Sequence, residues 1–105
     1  MVGRFEGEVA EVTEDLVRMT HLVGSAMNRA TQALLDADLT LAETVIEQDA
    51  EIDALANEVE DRCFDIMTGP PVSETDLRTV IGAMRISASL ERMGDLARHV
   101  AKQAR

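Results

Sequence analysis

The stretch TGPPVS, residues 68–73, contains both prolines of the chain and decides where its helices divide. Proline cannot continue an α-helix, and it biases the residue before it away from helical backbone angles. Ser73 closes the stretch and is followed by acidic residues, and this order is typical of a helix N-cap and first turn. The stretch therefore predicts that one helix ends near residue 67 and that another begins near residue 74.

A second boundary lies upstream at DADLT, residues 36–40, where Thr40 and Glu43 have the spacing of a capping box. Together the two boundaries predict three helices and one all-α domain covering the chain. At 1.5 Å per residue such helices are about 40–50 Å long, and two short connections arrange them as an antiparallel up-down-up three-helix bundle. The predicted helices cover residues 5–37, 40–67 and 74–104.

The first predicted helix has an apolar seam, in which apolar side chains recur at alternating steps of four and three residues. This spacing is typical of a helix that packs along its whole length against other helices. The seam narrows to alanines at its carboxyl end, which predicts that another helix approaches closely there. Its members are Phe5, Val9, Val12, Leu16, Met19, Val23, Ala26, Ala30 and Ala33.

The seams of the other two predicted helices include acidic residues. In the second helix the seam comprises Val45, Asp49, Ile52, Ala56, Val59, Cys63 and Ile66, with Asp53 one turn beyond Asp49. In the third helix one stripe runs through Leu77, Ile81, Met84 and Ala88 and continues to Glu91 and Asp95. A second stripe lies beside it and comprises Ile86, Leu90, Met93, Ala97, Val100 and Ala104.

Each of these two helices thus carries two acids four residues apart, and such side chains project from the same helix face. Beside an apolar seam the desolvation of two carboxylates is costly unless protons or an oxygen-binding cation offset it. Gly94, which costs about 1 kcal/mol in mid-helix, indicates close approach of a helix or ligand. The pattern predicts a metal site, although acids at this spacing also occur on solvated faces. The candidate ligands are Asp49, Asp53, Glu91 and Asp95.

His99 lies one turn beyond Asp95 and is a possible additional ligand, although a surface or capping role also fits its position. Cys63 lies on the seam and is most simply a small core residue. The sequence contains no glycine-rich phosphate loop, no Ser-His-Asp set and no Glu-x-x-His motif of di-iron bundles. The chain is therefore predicted not to be an enzyme.

Charge and composition exclude several classes of partner. The formal net charge is −10, and the sequence contains neither Trp nor Tyr. The sequence therefore argues against nucleic acid as a partner, because it lacks an excess of basic residues to bind phosphates and has few aromatic side chains on which bases stack. Cys63 is the only cysteine, which favours a reducing compartment. No apolar run has the length of a signal peptide core or a membrane span. We therefore expect a cytoplasmic protein that does not insert into membranes.

Three segments of the chain resemble the PhoU family of bacterial phosphate-uptake and phosphate-signalling regulators. They are VIEQDAEIDAL (45–55), PPVSETDLRTVIGAMRISASLERMGD (70–95) and LERMGDLARHVAK (90–102), and the likeness extends over about residues 12–103. The resemblance implies a three-helix repeat and a metal such as iron, zinc or manganese at acid-x-x-x-acid motifs. The matching positions in this chain are Asp49, Asp53, Glu91 and Asp95.

The same resemblance implies two partners, namely the ATPase of the phosphate importer and the cytoplasmic part of a membrane sensor kinase. Typical family members contain two repeats in tandem whereas this sequence contains one. It is therefore a fragment, a single-repeat member, or half of a homodimer that restores the pair. A metal-independent helical dimerisation module is the alternative function. A carboxylate-bridged metal oxidase is a third, which the missing Glu-x-x-His motifs disfavour.

Overall fold

The computed structural model describes residues 3–105, and these residues form three long α-helices without any strand. The helices are α1 (Arg4–Asp36), α2 (Leu39–Thr68) and α3 (Glu74–Ala104). Each helix packs against both others, and the bundle measures 52 × 22 × 17 Å. The predicted all-α three-helix bundle is confirmed, and each predicted helix end lies within one residue of the observed one. None of the three helices is both long and apolar enough to cross a lipid bilayer.

The connection between α2 and α3 has the predicted form. Ser73 is the N-cap of α3, and its hydroxyl accepts a hydrogen bond from the backbone N–H of Asp76 at 3.1 Å. The prediction for the start of α2 was wrong in its cap. Asp38, not Thr40, is the N-cap, and its carboxylate accepts from the backbone N–H of Leu41 at 3.0 Å. Thr40 already lies inside the helix because the turn before it is tighter than the sequence pattern suggested.

The tight turn between α1 and α2 depends on Ala37, which has left-handed backbone angles of φ 51° and ψ 42°. The backbone N–H of Asp38 donates to the carbonyl oxygen of Ala33 at 2.9 Å and so satisfies one of the last carbonyls of α1. Glycine usually occupies this position, because a Cβ is unfavourable in the left-handed region. Ala37 therefore carries a local backbone strain.

Replacing Ala37 with glycine is expected to stabilise the protein. Glycine relieves the left-handed strain, but it also gives the unfolded chain more conformational freedom. The net gain in the free energy of unfolding should be about 0.5–1 kcal/mol. Urea denaturation measures the change. Ala54→Gly, at an exposed site inside α2, is the matched control and should cost about 1 kcal/mol. A loss of similar size in both variants would contradict the account of the turn.

The apolar core follows the predicted seams of α1 and α2. The fully enclosed side chains of α1 run from Val12 through Met19 to Ala33, and all seven seam residues of α2 are buried. As predicted, the core narrows to alanines at one end, where α2 and α3 contribute further buried small side chains. The enclosed alanines there are Ala26, Ala30, Ala33, Ala42, Ala97 and Ala101.

The two stripes predicted for α3 were only partly correct. Leu77 and Ile81 from one stripe, and Ile86 and Met93 from the other, are each more than a third exposed. The buried line shares Leu90 and Ala97 with the second stripe, and its other members belong to neither stripe. They are Val80, Ser87, Gly94 and Ala101. Four of the six buried residues are small, and this allows α3 to lie close to its neighbours. A pattern of large apolar side chains therefore does not mark this face.

Candidate metal centre

The packing of α2 against α3 brings the predicted acids together. One carboxylate oxygen from each of Asp49, Asp53 and Asp95 lies within 4.8 Å of the other two. Glu91 adjoins this group, close enough to Asp53 for the two carboxyl groups to form a hydrogen bond when one of them is protonated. His99 is exposed and lies outside the group. We call Asp49, Asp53, Glu91 and Asp95 the acidic cluster.

Gly94 explains how the two helices approach closely enough to form the acidic cluster. A Cβ built on Gly94 would lie 3.2 Å from Cδ1 of Ile52 and 3.3 Å from Oδ1 of Asp49. These distances are shorter than ordinary van der Waals contacts, so the backbone of α3 rests directly on the side chains of α2. The sequence-based expectation of a close helix approach at Gly94 is confirmed.

Asp49 is the most enclosed member of the acidic cluster. Its relative exposure is 5 %, and neither of its carboxylate oxygens has a hydrogen-bond partner. Burial is the main cause that raises the pKa of Asp49, and the charge of Asp53 adds to it. Burial is also the main cause that raises the pKa of Glu91, and the neighbouring carboxyl group of Asp53 raises it further. Positive charge or protons must therefore compensate the cluster.

Arg98 is the residue of this site that the sequence analysis missed. Its Nη1 lies 3.3 Å from Oδ2 of Asp49, and its Nη2 lies 3.7 Å from Oδ1 of Asp95. The side chain thus contacts acids from both α2 and α3. Its position three residues after Asp95, on the same helix face, was the available signal. One guanidinium faces four carboxyl groups, so compensation by Arg98 is partial.

A second buried acid in this protein has a hydrogen-bonded counter-ion. Asp15 of α1 is 8 % exposed, and Nε of Arg62 donates a hydrogen bond to its Oδ2 at 3.2 Å. The same guanidinium donates to Glu58 at 2.8 Å and also contacts Glu11. Asp15 therefore has a hydrogen-bonded counter-ion, whereas Asp49 has only the non-hydrogen-bonding contact with Arg98.

The residues present fit a divalent cation. Carboxylate oxygens are the donors that magnesium, calcium and manganese prefer, and iron and zinc also accept them. Both oxygens of Asp49 are free of hydrogen bonds and lie beside two further carboxylates. A divalent cation held by Asp49, Asp53 and Asp95 would offset much of the cluster's negative charge and link α2 to α3.

Gly94→Ala is expected to stabilise the protein less than the same substitution at another glycine of α3. At Gly82 a Cβ would meet no atom within 4 Å, so Gly82→Ala should stabilise the protein by about 0.5–1 kcal/mol through helix propensity. At Gly94 the new methyl group pushes on Ile52 and Asp49, and this gain should be lost or reversed. Urea denaturation of both variants measures the difference, and equal stabilisation would show that α3 is free to shift.

The fold and the cluster together define a class of protein. It is a long three-helix bundle with an acidic inter-helix site whose carboxylate donors suit a cation. The PhoU domain profile matches residues 16–104. The chain therefore belongs to the PhoU family.

Curated relatives cover nearly the whole chain. The chain is 43% identical over 101 residues to the phosphate-specific transport system accessory protein PhoU homolog 2 of Mycobacterium tuberculosis. This alignment covers 96% of the chain and 47% of the relative. Homolog 1 of Mycobacterium leprae is 42% identical over 96% of this chain and 46% of its own length. The Aquifex aeolicus homolog is 38% identical over 92% of this chain and 44% of its own length.

The chain thus spans about half the length of the curated relatives that it matches. No solved structure matches it.

Proposed function

We propose that this chain is a non-enzymatic regulator of phosphate uptake and phosphate-starvation signalling that acts through protein–protein contacts and an acidic metal site. Its family membership and the name of its relatives, phosphate-specific transport system accessory protein, support the phosphate role. The observation that carries the metal role is Asp49, a buried carboxylate without hydrogen bonds beside two further carboxylates.

The metal is iron, zinc or manganese, and the ligands are Asp49, Asp53 and Asp95 together with Glu91. His99 is a possible additional ligand only if its exposed side chain turns towards Asp95. The cation supplies the positive charge that Arg98 provides only in part. By linking α2 to α3 it fixes the relative position of the two helices, and hence the surface that they present to a partner.

The partners are the ATPase of a phosphate importer and the cytoplasmic part of a membrane sensor kinase, so the chain works in the cytoplasm. We propose a homodimer as the functional form. An acidic chain of net charge −10 favours basic surfaces on these partners.

The metal role is tested by the double variant Asp49→Asn/Glu91→Gln, purified without chelator and examined by elemental analysis. Loss of a supporting residue alone commonly weakens metal binding 10–100-fold, so removal of two ligand charges should lower the bound metal by at least about tenfold. The matched control is Glu47→Gln/Glu51→Gln, which removes two exposed charges from α2 and should retain the parent's metal content. Equal metal content in all three proteins would refute the site.

The partner role is tested by co-purification with the ATPase of the phosphate importer from the same organism. The parent should be retained by the immobilised ATPase in the presence of Mn²⁺, and Asp49→Asn/Glu91→Gln should be retained less well. A parent that fails to bind both the ATPase and the sensor kinase fragment, with and without Mn²⁺, would contradict the proposed regulatory contacts.

A metal-independent helical dimerisation module remains the second candidate, and one observation favours it. An apolar groove of about 340 Å³ lies between α1 and α3, bordered by Leu16, Ala83 and Ile86, and Ile86 is 52% exposed. Sedimentation with and without chelator separates the two candidates. A dimer that is unaffected by chelator, in protein that also contains no metal, supports this module instead of the metal-dependent regulator.

A further inference from the structure

We propose that Arg98 is an internal counter-ion that occupies the acidic cluster when no metal is bound and is displaced when a divalent cation binds. The inference rests on the proposed metal role and adds a second state to it. In the metal-free state the guanidinium connects α2 to α3. In the metal-bound state the cation replaces it in that role, and Arg98 extends into solvent.

The contacts of Arg98 support mutual exclusion between the arginine and a cation. Its two terminal nitrogens face Asp49 and Asp95, one acid from each helix, and these acids are two of the three that would hold the metal. A divalent cation on the same two carboxylates would lie close to the guanidinium. Two positive groups sharing one pair of ligands repel each other, so binding of the cation favours withdrawal of the arginine.

The quality of these contacts indicates that Arg98 can be displaced. Its contacts at 3.3 and 3.7 Å form no hydrogen bond to Asp49, and its own Nε is buried without a partner. Arg62, in contrast, makes hydrogen bonds of 2.8 and 3.2 Å in the other charged cluster. The Arg98 side chain is also 33% exposed, so rotation about its flexible stem carries the guanidinium into water.

Displacement has a consequence for the surface of α3. On cation binding a guanidinium leaves the acidic cluster and becomes available at the bundle surface near His99 and Lys102. The chain carries 20 acidic and 10 basic residues, so a newly freed positive group is a distinct change in its local charge. Arg98 thus links occupancy of the metal site to the charge that a partner encounters, and it weakens cation binding by competing for the same ligands.

The test compares Arg98→Gln with the parent and with Arg92→Gln, which removes the same charge from an exposed position on α3. Free Mn²⁺ is followed by electron paramagnetic resonance during titration of each protein. Arg98→Gln should bind Mn²⁺ at least tenfold more tightly than the parent, whereas Arg92→Gln should change the affinity by less than about threefold, because exposed charges are well screened. Arg98→Lys, which keeps the charge but loses the two-pronged contact, should have an intermediate affinity.

Thermal unfolding supplies a second readout that a purely structural arginine would not produce. In chelator, Arg98→Gln should unfold at a lower temperature than Arg92→Gln because Asp49 loses its nearest positive charge. With Mn²⁺ the order should reverse or the two should converge, since the cation compensates the cluster in both proteins. A purely structural role would lower the unfolding temperature of Arg98→Gln equally with and without Mn²⁺.

Failure of this inference is distinguishable from failure of the proposed function. If the parent binds Mn²⁺ and Arg98→Gln binds it equally or more weakly, displacement is refuted while the metal site stands. If neither the parent nor Arg98→Gln binds Mn²⁺, the metal role is refuted and the displacement with it.

Discussion

Saturating Mn²⁺ is expected to raise the midpoint of thermal unfolding of this protein by a large amount. A ligand present at one hundred times its dissociation constant, and bound only by the folded state, contributes about 2.7 kcal/mol. For a chain of this length each kcal/mol shifts the midpoint by roughly 4–8 °C, so the expected rise is about 10–20 °C. The physical reason is that the cation removes the repulsion within the acidic cluster and links α2 to α3. Circular dichroism at 222 nm measures the shift.

The control for this prediction is the double variant Asp49→Asn/Glu91→Gln. It should show little response to Mn²⁺, and in chelator it should be no less stable than the parent because two repelling charges are gone. Glu47→Gln/Glu51→Gln should respond to Mn²⁺ as the parent does. A parent whose midpoint is unchanged by Mn²⁺, zinc and iron would contradict the prediction.

Acidification provides an independent check with a defined sign. Burial raises the pKa of Asp49 and of Glu91 in the folded state above their unfolded values. A carboxyl group of this kind contributes stability below its unfolded pKa and loses that contribution as pH rises through its folded pKa. These two groups should therefore make the chelated protein more stable as pH falls from neutral towards the ordinary carboxyl pKa of about 4. The stabilisation by Mn²⁺ should shrink over the same range, because protons compete for its ligands.

The fold was largely predictable because its signals are local. Two prolines and a serine cap define the connection between α2 and α3, and apolar side chains repeat along α1 and α2 at the spacing of packed helices. Asp49 could also be recognised as unusual, since it interrupts the α2 seam between Val45 and Ile52. Gly94 indicated close approach because a mid-helix glycine is unfavourable without a packing reason.

The remaining features depend on how the helices are rotated against each other, which a single sequence does not encode locally. The packed face of α3 was predicted only in part, at Leu90 and Ala97, because the rest of its buried line includes Ser87 and Gly94 instead of large apolar residues. The role of Arg98 was missed for a related reason, since its partner Asp49 lies on another helix. The ion pair between the buried Asp15 and the partly exposed Arg62 also joins segments that are distant in the sequence.

Truncation of Met19 is expected to produce the largest loss of stability among the variants considered. Met19 is 0% exposed, and its sulfur lies 3.7 Å from the hydroxyl of Ser87, so it fills the space between α1 and α3. Replacement of a buried methionine by alanine typically costs 2–5 kcal/mol, through lost burial and the cavity that remains, so Met19→Ala should cost about that much. At roughly 4–8 °C per kcal/mol the midpoint should fall by about 8–40 °C.

Met93→Ala is the matched control because it makes the same chemical change on α3 at a side chain that is 47% exposed. A substitution at such a position usually changes stability by no more than about 0.5 kcal/mol, so the two variants should differ several-fold in effect. The comparison discriminates between the two seams considered for α3, because the stripe predicted from the sequence places Met93 in the core while the structure leaves it exposed. Urea denaturation at low protein concentration makes this measurement on the single chain, and equal losses in the two variants would favour the sequence-based stripe.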